Sequence, residues 1–512
     1  MYIEPNTNIK LLKNVPLDNS YKNTIYFEYD TEQYSYFANF VKYTLTKQTY
    51  HRVNKGVARV SIKAESLYDC NYLMFQNESF GSKWFYAFIT SVEYVNNTVS
   101  EIRFDIDVLQ TWLLDCTFKE CFVEREHTES DRIGEHTYPE NIEHGEYISS
   151  TFDGTGMVNV DRKIVVAATV DRNGNDAIGS EYGGIYSGVS LNAFNDVDEV
   201  NTYLDEITKS ADSDSVVSIF MMPGAFVSET GNTCKSYRIT KIKQTEGIGN
   251  YPPRNKKLLC YPYNFLYVTN LEGDSAVYQY EHFSSEDCAF TICGDYSCSP
   301  SVVLYPINYK GVLANIDEKI TITGFPQCSY NIDVYKAWLS QKGPSILANL
   351  ATGVASAFIP LAFPGKNADL SSAIGGVQLF GTVANTVAQQ IEHAIAPPQA
   401  KGGNSSNALF AFRMKDFAFM NKHIKEEYAR IIDNYFDMFG YAVHKVKVPN
   451  RSARPCWNYV KTIGCTIVGG APADDIAKMC SIHDNGITYW KPNADFGNYT
   501  QEDGENKNGV FP

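Results

Sequence analysis

The chain has 512 residues, 44% of them apolar, and its 44 Lys and Arg against 59 Asp and Glu leave a formal charge of −15. At about 150 residues per domain this length suggests roughly three or four domains with sizeable cores, so wholesale disorder is excluded. An acidic balance also excludes a protein that grips nucleic acid by neutralising phosphates, which takes clustered Lys and Arg, though not one that nucleic acid merely passes.

The opening stretch, Met1 to Lys10, has no basic region followed by an apolar one, so the chain is expected to be made and folded in a cytoplasm. With 35 Tyr and 29 Phe, the aromatic content favours strands. Residues 15–125 read as strands and turns. Ile102, Phe104, Ile106 and Val108 alternate with Arg103, Asp105 and Asp107, the period of a strand with one wet face. The runs Tyr72–Phe75 and Trp84–Ile89 are apolar on both faces and fit central or interface strands. Glu124 to Tyr147 is polar and acidic, with His127, His136 and His144, and reads as a long solvated connection that ends a first domain near residue 150.

The middle holds strand candidates at 163–170 and 216–222, separated by Gly/Asn/Asp-rich turns such as 171–175. Val197, Val200, Tyr203, Leu204 and Ile207 predict a helix within 195–208, so a mixed α/β domain is expected here. Farther on, Ile424, Tyr428, Ile431, Ile432, Tyr435 and Phe439 form one stripe of a long amphipathic helix stopped by Gly440. Strands are predicted at 441–448 and 458–468.

Residues 343–391 differ from everything around them: their only charges are Lys366 and Asp369. One apolar arm carries Ile346, Leu347, Leu350, Val354, Phe358, Ile359, Leu361 and Phe363; the other carries Leu370, Ile374, Val377, Leu379, Phe380, Val383, Val387 and Ile391. As a helix each arm would be roughly 33 Å long at about 1.5 Å per residue, close to the hydrocarbon thickness of a bilayer. Gly353, Gly375, Gly376, Gly381 and Pro360 make the arms poorer than a constitutive transmembrane helix, and small residues recur every fourth position, which suits close helix approach in lipid. A helical hairpin buried in a core fits the same residues. Exposed on a monomer, such a segment would far exceed the usual apolar patch, so it must be hidden by its own domain, a partner or copies of itself. The breakers Gly343 and Pro344 on one side, and Pro397, Pro398, Gly402 and Gly403 on the other, set it off as a hinged element. Asp369, Glu392 and His393 are its titratable groups; protonating the carboxylates would ease entry into lipid, and mechanical release driven by a receptor is equally compatible.

No catalytic or phosphate-binding motif is found, so no cofactor is expected. The histidines of the acidic stretch lie nine and eight residues apart, matching no common ligand pattern, and the twelve cysteines include no C-x-x-C pair, so neither set is assigned a metal and the thiols are expected reduced. A hydrolase needs only two placed carboxylates and stays open as a minor alternative.

Several stretches together resemble the tail-knob, or distal tail tube, proteins of small short-tailed bacteriophages with protein-primed linear genomes. They are Asn14–Asn23, Tyr72–Asn77, Gly81–Phe88, Phe104–Trp112, Arg125–His127, Pro397–Gln399 with Gly402–Asn404, and Asp484–Trp490. They cover roughly residues 10–130 and 395–500, with no clear resemblance across 150–335. The resemblance implies a mainly β, barrel- or sandwich-like homohexameric tube in the virion's distal tail, assembled in the host cytoplasm on an upstream tail or collar protein. Residues 1–150 and 404–512 would form its wall, 151–342 would decorate it, and the 343–403 loops would plug the lumen and later enter the host cell membrane. The genome would pass without specific binding, and an acidic wall would not retain it. The alternative is a receptor-binding adhesin with the apolar arms as core.

Overall fold

The computed structural model describes residues 6–48, 56–155, 162–170, 181–182, 185–186, 190–210, 215–227, 235–295, 301–310, 319–323, 325, 327–329 and 416–499. They divide into two compact units, one from residues up to 144, 251–258 and 426 onward, the other from 145–250 and 259–425. Both are mainly β.

The first unit is organised by a six-stranded antiparallel sheet, ordered Val41–Gln48, Thr7–Lys13, Cys70–Gln76, Trp84–Asn96, Val99–Ile106 and Val57–Val60. The runs that are apolar on both faces stand adjacent in it, Tyr72 opposite Phe88 and Phe75 opposite Phe85, because each face meets its own core. Tyr72, Met74, Tyr86 and Phe88 pack with Phe37, Val108, Leu109, Phe118, Met479, Ile482 and Tyr489. Leu73, Phe75 and Ala87 face the other way, against Ile9, Leu11, Val60, Ile102 and Phe104. Burial of each such large side chain contributes about 1.5–3 kcal/mol, and the first core joins residues 12–118 to residues 465–489.

The alternation from Ile102 stops at Ile106. Asp107 is buried and its carboxylate accepts from the N–H groups of Leu109 and Gln110, 3.1 Å each, so it caps a short helix, Val108–Trp112, and Val108 is helical instead of the last strand residue. A second sheet interleaves both ends of the chain: Asn23–Ile25, Ile487–Trp490, Trp457–Ile463, Cys121–Glu126 and Tyr441–Lys447. The run expected as one strand over 458–468 is two. Gly464 turns it at φ 67°, and Ile467–Gly469 pairs with Cys116–Phe118.

Helix Glu426–Phe439 ends at Gly440, whose φ of 62° and close approach to Glu126 admit no side chain: a Cβ there would lie 2.3 Å from the Glu126 carbonyl oxygen. Its buried face is rotated from the apolar stripe. Ala429, Ile432, Asp433, Phe436 and Asp437 point inward, while Ile431 is 63% exposed.

In the second unit, helix Val197–Ser210 lays Val200, Tyr203, Leu204 and Ile207 on Ile164, Val166 and Ile219 of the sheet Ser190–Phe194, Arg162–Ala168, Val216–Pro223 and Gln327–Ser329. The opposite face of that sheet, with Val165, Ala167, Phe220 and Met222, shares a core with Val268, Phe290, Leu304 and Phe419. Strand Ala418–Ile424, grouped from sequence with the C-terminal part, belongs to this unit: it pairs with Asn264–Thr269 on one side and with Tyr147–Ser149 and Asp153–Gly154 on the other.

Candidate functional site

All the residues expected to be membrane-active, the hinges Gly343, Pro344, Pro397, Pro398, Gly402 and Gly403, and the titratable Asp369, Glu392 and His393 lie outside the described residues. What the structure does show is how the described chain on either side is fixed. On the upstream side, Gln327–Ser329 pairs with Ser218–Phe220. Downstream, Phe417, Ala418 and Phe419 are fully buried, and Asp416 accepts from its neighbour Phe417 N–H at 2.8 Å and from the Thr155 hydroxyl. Asn421 then donates to Ser150 Oγ at 2.9 Å and accepts from the Tyr280 hydroxyl at 3.0 Å. Among the described residues no helix is long and apolar enough to cross a membrane.

The first unit holds a second arrangement that the sequence did not disclose. Residues 251–258, from the middle of the chain, are clamped by carboxylates from both of its ends. Asp433, fully buried, accepts from Tyr251 OH at 2.6 Å, Arg254 N–H at 2.8 Å, Asn255 N–H at 2.9 Å and Asn255 Nδ2 at 2.7 Å. One turn on, Asp437 accepts from Arg254 Nε at 2.6 Å and Asn255 Nδ2 at 2.7 Å. The Asn255 side-chain Oδ1 in turn accepts from Tyr441 OH and the buried Arg454, both at 3.0 Å. From the other end of the chain, Asp131 accepts from Lys256 N–H at 2.7 Å, and Glu140 pairs with Lys257 and, at 2.5 Å, with Arg125. Burial, and then the charge of Asp433, push the Asp437 carboxyl up, and Arg254 offsets part of this.

The acidic, histidine-bearing stretch is the irregular, largely solvated connection expected of it except at Glu126, His127 and Asp131, which are buried. His127 Nδ1 accepts from Tyr459 N–H at 2.7 Å and its Nε2–H donates to the Asp437 carbonyl at 2.9 Å, which fixes a neutral ring. Burial, with Arg454 nearby, holds its pKa well below the ordinary value. Glu126 pairs with Lys447 and accepts from Asn450 N–H. Each of these three thus holds backbone, and among the described residues no group of three or more His, Cys, Asp or Glu is placed to hold a metal. The one signal that could have pointed here is the i, i+4 pair Asp433 and Asp437 within an otherwise apolar helix face.

Comparison with known proteins gives the arrangement its class. Residues 5–117 match the N-terminus of caudoviral major tail proteins, so the sheet-rich first unit starts as a phage tail protein. Residues 227–507, more than half of the chain, match the C-terminal domain of the tail knob protein gp9 of Bacillus phage phi29, and the chain belongs to this family of tail knob proteins, structural components of the virion's short tail. It is 27% identical to the tail knob protein gp9 of Bacillus phage phi29, over 97% of this chain and 98% of that protein, and 24% identical to its counterpart in Bacillus phage B103, over 96% and 98%. The fold is shared with the tail knob protein gp12 of bacteriophage C1, at a TM-score of 0.62 and 16% identity, over 95% of this chain and 96% of that one.

Proposed function

We propose that six copies of the chain assemble into a tube at the end of the tail, that the 343–403 segments plug its lumen, and that on release they enter the host membrane so that the genome can pass. The observation that carries this reading is the charge gap between Lys342 and Glu392 in a chain of the tail knob family: it holds two charges, whereas the rest of the chain is rich in them. A segment that apolar needs cover before release, and the lumen of a ring of copies supplies it. Its tethering agrees with deployment, because the strands at 327–329 and 418–424 on either side are both sheet-paired.

The wall is built from the first unit, and the second unit decorates it. Support for self-assembly comes from an apolar row across the second sheet of the first unit. Val446 and Ile463 both stand opposite Phe122, and both are more than half exposed. The net charge of −15 keeps the phosphate backbone from adhering in passage. The tail partner is the protein that carries the knob, and no cofactor is involved.

Liposome leakage tests the reading. The full chain should release an entrapped dye, and a chain lacking 344–396 that still assembles into the same ring should not. Equal leakage from the two would end the role given to the segment, and a monomeric full chain would end the conduit.

A further inference from the structure

The chain's thiols look scattered in sequence, but the first unit gathers three of them. Cys121 begins the strand Cys121–Glu126, and Phe122 stands opposite Ile463, so Cys121 lies beside the Gly464 turn that Cys465 follows. Lys119 N–H donates to the Thr466 carbonyl at 2.9 Å and holds this turn in place. Helix Ala473–Asn485 completes the group. Its Asp484 carboxylate accepts from Cys465 N–H at 3.0 Å and from the Thr462 hydroxyl at 2.8 Å. Cys480 precedes Asp484 by one helical turn, and side chains at that spacing are neighbours on one face, about 5–6 Å apart at Cβ. The residue that fixes the backbone of Cys465 therefore sets Cys480 beside it. Both cysteines pack in the same hydrophobic cluster; Cys465 is buried, whereas Cys480 is half-buried. Burial, with the neighbouring Cys480 and Cys121 thiols, pushes the Cys465 thiol up, so it is protonated and slow to react by itself.

We propose that Cys465 and Cys480 form a modification site, a dithiol that a small disulfide of the glutathione class converts to a disulfide after the protein leaves the reducing interior of its host. The Cys480 thiolate attacks one sulfur of the small disulfide; a mixed disulfide forms on Cys480 and one small thiolate leaves. Cys465 then gives its proton to solvent and attacks the Cys480 sulfur, and the second small thiolate leaves. The protein loses two hydrogens, and the small disulfide, reduced by two electrons, becomes two thiols. The bond ties helix 473–485 to the turn between the strands 457–463 and 467–469, a staple suited to a particle that must survive outside a cell. It does not involve the apolar segment, so its failure leaves the membrane reading untouched.

The full-length protein tests this directly. After incubation with oxidised glutathione it is denatured and alkylated without reduction, digested and analysed by mass spectrometry. The expected result is one linked peptide pair joining Cys465 to Cys480, with the other ten of the twelve thiols alkylated (12 − 2 = 10). Twelve alkylated thiols, or a bond between another pair, would overturn the proposal. In C465S the glutathione adduct should stay trapped on Cys480, and an unmodified Cys480 there would refute its role as the point of attack. C480S alters only a half-buried position; it should remain fully reduced over the same interval, and a bond appearing between Cys121 and Cys465 at the wild-type rate would refute the assignment.

Discussion

Replacing Asp433 by Ala removes the acceptor of four hydrogen bonds at once, from Tyr251 OH, Arg254 N–H, Asn255 N–H and Asn255 Nδ2. Asn255 is fully buried, so its backbone N–H is left without an acceptor and cannot turn to water, whereas its Nδ2 keeps Asp437 Oδ1 at 2.7 Å and the backbone carbonyl of residue 433 at 3.1 Å. A buried donor left unmade costs about 1–3 kcal/mol, and with the other lost bonds the total comes to about 3 kcal/mol. Tyr251 and the part-buried Arg254 amide recover some hydration and add less. Two separate units make a single unfolding free energy ill-defined, so the measurement should be local. Amide hydrogen exchange at Arg254 and Asn255 reads the opening of the clamp, and about 3 kcal/mol corresponds to exchange faster by roughly two orders of magnitude. Asp433→Asn keeps the shape and one acceptor oxygen, and should fall between wild type and Asp433→Ala. If these amides exchange within about tenfold of wild type in Asp433→Ala, the carboxylate is not what holds residues 251–258.

Gly440→Ala should cost more than about 3 kcal/mol and lower both soluble yield and the thermal midpoint, because the new Cβ meets the Glu126 carbonyl carbon at 2.4 Å and the His127 nitrogen at 2.7 Å in a left-handed backbone; a variant that melts with wild type would contradict this. His483 and Asp107 should pull the acid limb of stability in opposite directions. His483 accepts from Tyr489 OH at 2.5 Å and donates to the Met479 carbonyl at 2.6 Å, and burial lowers its pKa to about 4. The unfolded chain takes up the proton first, so stability falls as pH drops from about 6.5 to 4, by about 3 kcal/mol in all. Asp107, raised by burial to about 6, costs stability above that pH and returns about 3 kcal/mol as pH falls from about 6 to 4. Melting curves between pH 7 and 4.5 should therefore be steeper in pH for Asp107→Asn and shallower for His483→Gln, and two variants parallel to wild type would refute both assignments. If Asp369 and Glu392 gate the apolar segment by protonation, wild-type leakage should rise from pH 7 to 5, and the double substitution D369N/E392Q should leak at pH 7 as wild type does at pH 5. Leakage flat in pH for wild type would leave mechanical release as the trigger.

The parts of the fold legible in the sequence are those where one short stretch carries its whole signal. Tyr72–Phe75 and Trp84–Ile89, apolar at every position, fit central or interface strands, and the structure gives each face a core. The helix at 197–210 was written in its own spacing. Where a partner far along the chain decides, the signal failed. Glu126, His127 and Asp131 look like a wet acidic loop because their partners, Lys447, Tyr459 and Lys256, are 125 or more residues away. The stripe through Ile431 suggested the wrong buried face, since hydrophobicity alone ranks Asp433 and Asp437 last and cannot anticipate that Asn255 and Arg254 come to meet them.

By itself the sequence determined a mainly β chain, an acidic surface, an apolar segment of unusual length and a kinship with phage tail knobs, since composition, period and motif order are local or cumulative properties. Only the tertiary structure decided that residues up to 144, 251–258 and 426 onward make one body, and that 418–424 belongs to the other. The physical reason is that a buried carboxylate or a sheet edge specifies its partner by geometry and desolvation, and neither leaves a periodic trace along the chain.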